Sequence, residues 1–493
     1  MGKDRGKPLV TSNMSNVVNH PQALRNWCIG SERLVAIILG VIAMLPYLQT
    51  TQFLWVNLDD PEFFGPGAIA SSPVTGDALM RSLTHVGVLN LWHPVTNWSH
   101  QIDTILVGSA GWGWRHFVNT VLHGVVAAIL YGVVRGLGVS RVSSVAGVLL
   151  FALHPQRVEA VAWLTARKEL LGAIGFLLAV GFWVRWRRLG VGWALAASYV
   201  SALVAVASHP GTVVLPGVLW AVDTFVFSPQ SGARHRWWPS PALIPPLLMG
   251  LAVAAMTYLM HQHGGHGEVE AGQGIVDRLS RGLLGLWFYV ANTVWPWPSR
   301  LFSIPPESLM VRQVMAIGSL AVLGGGIWLW GKLEESRCGV IRCGLAWAGF
   351  ALLPVVGVVA AGPYLGADRH AYLAQAGIAL SLAAGIDLVT GPLRKGLLVL
   401  AFGTSVIFAG LSTVRCADWR DSFSLFAAEM RRSPQSKIAP LHLGAAWLDA
   451  GHPREALVFF EKSLEIDPHF ELALRNAAKA RAQLDSQGVE NLP

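Results

Sequence analysis

Residues 34–62 read LVAIILGVIAMLPYLQTTQFLWVNLDDPE: an apolar run from Leu34 to about Leu48, an aromatic-edged stretch, then two adjacent acids, Asp59 and Asp60. Extended through the polar-edged turn to residue 50, the run has the length and composition of a first membrane helix, which needs ~17–25 mainly apolar residues. A carboxylate pair beside a bilayer is costly unless it faces water or does chemistry. The loop beyond the pair is no ordinary linker; it is dense in His, Trp, Asn and Asp. The expectation is a site on the water-facing side of a polytopic membrane protein.

The rest of the chain fits that reading. Of 493 residues, 53% are apolar and only 13% charged, and 21 are Trp. Soluble domains carry about 25% charge, so lipid must solvate much of this chain. In lipid every backbone polar group needs an internal partner, which leaves helices or closed barrels. Barrels show short alternating segments, whereas the apolar runs here are long, so the fold class is all-α: a helix bundle. The net charge of +8 reflects Lys and Arg kept on the cytoplasmic side of membrane helices. No basic run interleaved with exposed aromatics points to nucleic acid. Cys28, Cys338, Cys343 and Cys416 form no metal-type array and read as free thiols. Residues 1–33 are polar and basic, too long for an ordinary cleaved signal, so the first run reads as a retained anchor.

Apolar runs recur near 34–50, 117–137, 143–154, 168–184, 191–208, 210–227, 241–260, 281–298, 311–330, 343–361, 371–391 and 396–414. With a cytoplasmic N-terminus, the positive-inside rule puts Arg135/Arg141, Arg185 to Arg188 and Arg234/Arg236 inside. If 281–298 crossed, Lys332, Arg337, Arg342, Arg394 and Lys395 would fall outside. If it is re-entrant or lies along the outer face, as Trp295-Pro-Trp-Pro298 fits, they return inside. The expectation is about eleven spans over 34–415, with an extracytoplasmic first loop at 51–116 and an extracytoplasmic tail at 416–493.

That tail has a period. Phe426 and Phe460, and Pro434 and Pro468, recur 34 residues apart. Leu443-Gly444, Trp447, Ala456, Phe460 and Pro468 fall at tetratricopeptide-repeat spacings. One full repeat (437–470) is flanked by halves at 418–436 and 471–485. So small an array needs docking for stability, and such surfaces bind peptides or proteins.

The candidate chemistry lies on the outer face. Asp59 and Asp60 can serve as a general base, or can cap a turn. The first loop also carries His93, His100 and Asp103. Asn119 and His123 are spaced i, i+4 and share a face, which fits helix–helix bonding as well as substrate binding. After His154-Pro155 come Glu159, Trp163 and Arg167 on one helical stripe, then Lys168 and Glu169. Cations at the outer face oppose the charge bias, so Arg167, Lys168 and Arg369 become phosphate candidates, with carboxylate pairing the other reading. Asp368 to Tyr372 is a second outer polar island, and His209-Pro210 opens a span at the same face. His261, His263, His266 and Glu268 are a weak divalent-metal signal.

Together these residues form a series. Asn57-Leu-Asp-Asp60, Trp92-His-Pro-Val-Thr-Asn-Trp-Ser-His100, Phe117-Val-Asn119 with His123, and Phe151-Ala-Leu-His-Pro155 resemble the tetratricopeptide-bearing membrane O-mannosyltransferase-like family. So do Val158 to Trp163 with Arg167-Lys168, Ala367-Asp-Arg-His-Ala-Tyr-Leu373 and Trp419-Arg-Asp-Ser-Phe423. The likeness runs from about 34 to 485 and is nearer to the family's bacterial members, which implies an inner-membrane protein. It implies a GT-C glycosyltransferase fold and inverting transfer of a sugar from a polyprenyl-phosphate donor to an extracytoplasmic hydroxyl, such as protein Ser/Thr. By resemblance the base is Asp59 or Asp60, with Asp60 favoured. Arg167, Lys168 and Arg369 would hold the donor phosphate. His93, His100, Asp103, Asn119, His123, His154, Glu159 and Tyr372 would line the substrate site. The chain departs from the family pattern at His209-Pro210, where Lys-Pro is usual, and at His370 and Ala374, where Tyr and Pro are usual. Two other readings stay open: a non-catalytic membrane scaffold for envelope proteins, and a lipid-linked glycan ligase.

Overall fold

A computed structural model describes residues 30–490, apart from 66, 73, 85–91, 229–239, 264–273, 298–299 and 358–363. The N-terminal tail, Arg234/Arg236 and the His-rich loop after residue 261 therefore lie outside the described side chains. Among the described residues the regular structure is helical, with no strand.

Eight of these helices are long and apolar enough to cross a membrane, and three shorter apolar ones, Arg141–Ala152, Gly192–Ser208 and Cys338–Leu352, fall between them. These eleven match eleven of the twelve apolar runs. The twelfth forms the helix Ile275–Val294, which is not among the candidate spans. It buries Gly282, Leu284, Gly285, Phe288 and Tyr289 and exposes Ile275, Val276 and Leu279. Its C-terminal end reaches the polar end of the bundle, where Thr293 O accepts from His154 Nε2 at 3.0 Å. That is the amphipathic geometry of a segment lying at an interface.

Close packing follows from small residues, the usual device where lipid offers no hydrophobic drive between helices. A Cβ on Gly344 would lie 2.5 Å from Gly377 O, and one on Gly175 2.7 Å from Ala205 N. The helices Glu335–Leu352 and Tyr372–Leu388, and Arg167–Leu189 and Gly192–Ser208, thus meet backbone to backbone.

The bundle has two chemically different ends. At one, arginines hold single carboxylates: Arg135 and Arg141 meet Glu32 at 3.3 and 2.7 Å, Arg187 meets Asp223 at 3.2 Å, and Arg394 meets Asp387 at 3.1 Å. This end holds Arg135, Arg141, Arg187 and Arg394, four of the described basic residues assigned above to the cytoplasm. The opposite end carries the acid pair, the Asp368 island and the C-terminal helices Ser422–Arg432, Ile438–Asp449, Pro453–Ile466 and Glu471–Glu490. Those helices pack as antiparallel neighbours. Gly444 lies against the Phe460 ring, where a Cβ would be 2.6 Å from a ring carbon.

One span stops short in a way that shapes the polar end. Arg141–Ala152 has 12 residues, ~18 Å at 1.5 Å per residue, against a hydrocarbon core of ~30 Å. The chain then turns into a buried platform, Pro155–Arg157 and Val158–Ala162, before entering Arg167–Leu189. Polar side chains collect on this platform, within the height of the bundle.

Candidate active site

The stretch Glu159 to Arg167 is not one helix. Val158–Ala162 ends at Trp163, whose extended backbone (φ −82°, ψ 126°) breaks the turn, and the next helix starts at Arg167. The expected single stripe of Glu159, Trp163 and Arg167 is thereby corrected: the break sends Arg167 away from Glu159. Freed carbonyls inside a bundle need donors. Asn119 supplies one, its Nδ2 donating to Trp163 O at 3.0 Å and to Val161 O at 3.4 Å.

Arg167 is fully buried and most of its donors are used. Its Nε donates to Asn119 Oδ1 at 2.8 Å, Nη1 to Asp103 Oδ2 at 2.5 Å and Ser99 Oγ at 3.0 Å, and Nη2 to Arg115 O at 2.9 Å. Asp103 also accepts from Trp114 Nε1 at 3.0 Å and stands 3.8 Å from Arg115. The geometry bears on two expectations together: four of the five N–H donors of Arg167 are spent inside the protein, leaving one on Nη2, and Asp103 is its buried counter-ion. The pair fastens the helix Pro94–Val107 to the start of Arg167–Leu189 and Asn119 to the platform.

His123, His154 and Tyr372 are bonded within the bundle. His123 bonds Tyr372 Oη at 2.7 Å and Ala152 O at 2.9 Å. His154 accepts from Gln156 N at 3.2 Å through Nδ1 and bonds Thr293 O through Nε2. His100 is buried edge-on to Phe64 at 5.0 Å, and burial beside Arg167 and Arg115 holds its ring well below the usual histidine range. His93 is buried against the edge of Phe63. Glu159 is buried and accepts from the Arg369 backbone N at 3.1 Å while pairing with the Arg369 guanidinium, so it anchors a cation and does not face a sugar.

The two acids separate cleanly. Asp60 is 0% exposed; Oδ2 accepts from Val56 N at 2.9 Å, and Oδ1 accepts from Thr165 Oγ1 at 2.5 Å and Thr165 N at 3.2 Å. Burial pushes its carboxyl up to about 6, against the pull of those hydrogen bonds. Asp59 precedes the short helix Asp60–Phe64, is half-buried and makes no capping bond. Its electrostatic neighbours are Lys168, Arg369 and His442. Of the two carboxylates, Asp60's oxygens already fix the loop to Thr165 beside the platform break, whereas Asp59's are not committed in this way.

Lys168 and Arg369, from different helices, converge on one indole. Lys168 Nζ stands 5.3 Å and Arg369 Cζ 5.1 Å from the Trp163 ring centroid. Lys168 Nζ has only a long 3.4 Å contact to Thr165 O. Arg369 spends Nη1 on Glu159 and retains Nε and Nη2. A cation at a helix N-terminus opposes the macrodipole, so Lys168 needs anions nearby; Asp59 and Glu169 are there. Glu169 Oε2 meets His209 Nε2 at 3.2 Å, and burial near Lys168 pushes His209 down to about 3, so it adds no charge. His209 therefore takes the place of a residue that would be cationic without replacing its charge.

Sequence reasoning missed several participants: Thr165 and Val56, which hold Asp60; Ser99 and Arg115, which complete the Arg167 network; and Asn57 and His442. Asn57 and Ser99 fall within recognisable motifs, but no local pattern gave the role of any of these residues, because each acts through a contact distant in sequence. Trp163, the platform for both cations, was visible only as part of a stripe. Cys338, Cys343 and Cys416 are buried free thiols. Among the described residues no group of three or more His, Cys, Asp or Glu could hold a metal ion.

Fold and site together define a multi-pass membrane protein with an acid–cation centre at one end of its bundle. No family model matches the chain. It is 22% identical over 423 residues to protein O-mannosyl-transferase TMTC4 of Mus musculus, covering 75% of this chain and 57% of that protein. It is 22% identical over 461 residues to protein O-mannosyl-transferase F38B6.6 of Caenorhabditis elegans, covering 88% and 63%. With protein O-mannosyl-transferase Tmtc2 of Drosophila melanogaster it shares 35% over 112 residues, 22% of this chain and 12% of the other. The chain thus spans little more than half the length of the curated relatives it matches over most of its own. Among solved structures, the apo oligosaccharyltransferase of Archaeoglobus fulgidus aligns with TM-score 0.43 and 13% identity, over 79% of this chain and 56% of that one. Over most of its length the chain is thus similar to membrane proteins named protein O-mannosyl-transferases.

Proposed function

We propose that this protein is an inverting glycosyltransferase of the GT-C type. It moves a sugar from a polyprenyl-phosphate donor to an acceptor hydroxyl, a protein Ser or Thr, on the extracytoplasmic side. The observation that carries the reading is a half-buried carboxylate without a side-chain capping bond, Asp59, in the electrostatic field of two under-used cations, Lys168 and Arg369, that converge on Trp163. The likeness to protein O-mannosyl-transferases supports the reaction class, and the geometry is the ground for the roles proposed here.

In this reading Asp59 takes the acceptor hydroxyl proton as that oxygen attacks the sugar's anomeric carbon from the face opposite the phosphate. A carbon–oxygen bond forms to the acceptor, the bond to the phosphate oxygen breaks, and configuration inverts. Lys168 and Arg369 receive the negative charge on the departing polyprenyl phosphate, where fixed cations are most effective. Glu159 and Glu169 hold the cations in place; Asp60 and the Arg167–Asp103 pair hold the loop and platform.

The basic turns at the opposite end support an extracytoplasmic site and repeat tail, as in a bacterial inner membrane protein. The C-terminal helices also offer a surface for a protein partner, including a cavity of about 320 Å³ lined by Met430, Pro440, Leu443, Phe459 and Ile466 with Arg431 and Lys462 beside it.

The test is equilibrium binding of a polyprenyl-phosphate sugar to the purified protein. Lys168→Ala and Arg369→Ala are expected to weaken binding by about tenfold or more each, near the 1.5–3 kcal/mol of a charged hydrogen bond. Binding indifferent to both substitutions would refute the phosphate site.

A further inference from the structure

The acid-bearing loop and the C-terminal helices form one interlocked unit. Asn57, two residues before Asp59, is bonded to them three times. Its backbone N donates to Ser422 Oγ at 2.9 Å, its Nδ2 donates to His442 O at 2.9 Å, and its carbonyl accepts from His442 Nδ1 at 2.8 Å. Because a carbonyl can only accept, Nδ1 carries the hydrogen. Leu54 N donates to Arg420 O at 2.8 Å just upstream.

The His442 ring is itself held by stacking. It lies 4.7 Å from Phe426 at 9° between planes, and 6.4 Å from Phe302 at 16°. Phe302 is secured by Glu429, a buried residue of the helix Ser422–Arg432, whose carboxylate accepts from Leu301 N at 2.8 Å and Phe302 N at 3.2 Å. Burial holds His442 below the usual histidine range, so the ring is neutral while lying in the field of Asp59. A tethered recruitment module needs none of this. A repeat whose function is to carry a partner can hang from a linker, whereas here one of its helices grips the backbone beside the only half-buried acid of the pair.

We infer that His442 and Asn57 are positioning residues for the active site: the C-terminal helices set the aim of Asp59 and are a wall of the catalytic centre, not an appended module. This rests on the function proposed above. With Asn57 fixed at its amide, carbonyl and side chain, Leu58 is the only residue between the clamp and Asp59. On the far side Asp60 is fixed to Val56 and Thr165. Asp59 is thus held from both directions without a bond to its own carboxylate, leaving its lone pairs for a proton.

The experiment compares His442→Leu with His442→Asn in the full-length protein. Asn places an amide N–H near the position of Nδ1, so it can restore the bond to Asn57 O. Hydrogen exchange at residues 54–60 and the kinetics of sugar transfer are read in parallel. The Leu variant is expected to exchange faster at 54–60. It should lose about tenfold to a hundredfold in kcat, as a small misplacement of a reacting group does, with donor affinity unchanged. The Asn variant should recover part of both. Ser422→Ala, a milder cut at the same clamp, should shift exchange in the same direction. Unchanged exchange at 54–60 in both His442→Leu and Ser422→Ala overturns the inference even if the protein transfers no sugar at all. Faster exchange with kcat intact in an active protein overturns the positioning role while leaving the glycosyltransferase reading standing.

Discussion

Arg167→Met keeps most of the side-chain length and removes the charge and every donor. Lost with it are the bonds to Asn119, Ser99, Asp103 and the Arg115 carbonyl. Asp103 would remain buried with Trp114 and with Arg115 at 3.8 Å, too far to replace a bond of 2.5 Å. Removing one partner of a buried ion pair costs about 3–5 kcal/mol, chiefly because the other charge is stranded. At 1.4 kcal/mol per factor of ten, the ratio of folded to unfolded protein should fall about a hundredfold to a few thousandfold. Arg167→Lys keeps a charge but not the planar fork, so it should recover only part of that loss. The assay is denaturant unfolding in detergent, with binding of a polyprenyl-phosphate sugar measured on the folded fraction. The expected result is a large stability loss with the surviving protein's donor affinity near normal. Stability within about 1 kcal/mol of wild type combined with loss of donor binding would refute the structural role and restore Arg167 to the phosphate site.

Thr165→Val deletes the hydroxyl donor to buried Asp60 and should cost about 1.5–3 kcal/mol, the range for a hydrogen bond to a charged group; an effect under half of that would mean Asp60 finds another partner. The Asp60 carboxyl, raised by burial from its ordinary 3.8 to about 6, favours the protonated fold. Its contribution is therefore full below the unfolded value and lost as pH rises through about 6. The stability difference between wild type and Asp60→Asn should shrink by about 3 kcal/mol from pH ~3 to ~7.5, at 1.36 kcal/mol per unit. A pH-independent difference would contradict that placement.

Much of the fold was legible because lipid imposes simple rules. Run length gave the helices, and the side on which Arg394 and Lys395 had to fall separated the 281–298 segment from true spans. In the structure that segment forms the amphipathic helix Ile275–Val294, which is not among the candidate spans. The site was legible only as a set of residue types. Asp59 and Asp60 are neighbours with identical chemistry; what separates them is Thr165, 105 residues from Asp60, and the Val56 amide. Likewise, Arg167 and Lys168 are adjacent cations. A helix that starts at Arg167 points one into the Asp103 network and leaves the other over Trp163. The stripe reading failed at Trp163 because a periodic pattern does not reveal a break whose carbonyls are capped by Asn119, 44 residues upstream. The His442 clamp on Asn57, 385 residues away, has no local signal at all.

Asp59 as the base and Asp60 as its support are distinguished by single-turnover sugar transfer from a polyprenyl-phosphate donor, with purified Asp59→Asn and Asp60→Asn proteins. Asp59→Asn is expected to bind donor normally, unfold like wild type and lose about 10²–10⁴-fold in rate, the range for a removed general base. Asp60→Asn should instead show altered unfolding and a smaller rate loss. Transfer at the wild-type rate by Asp59→Asn, with the full loss falling on a stably folded Asp60→Asn, would reverse the two assignments.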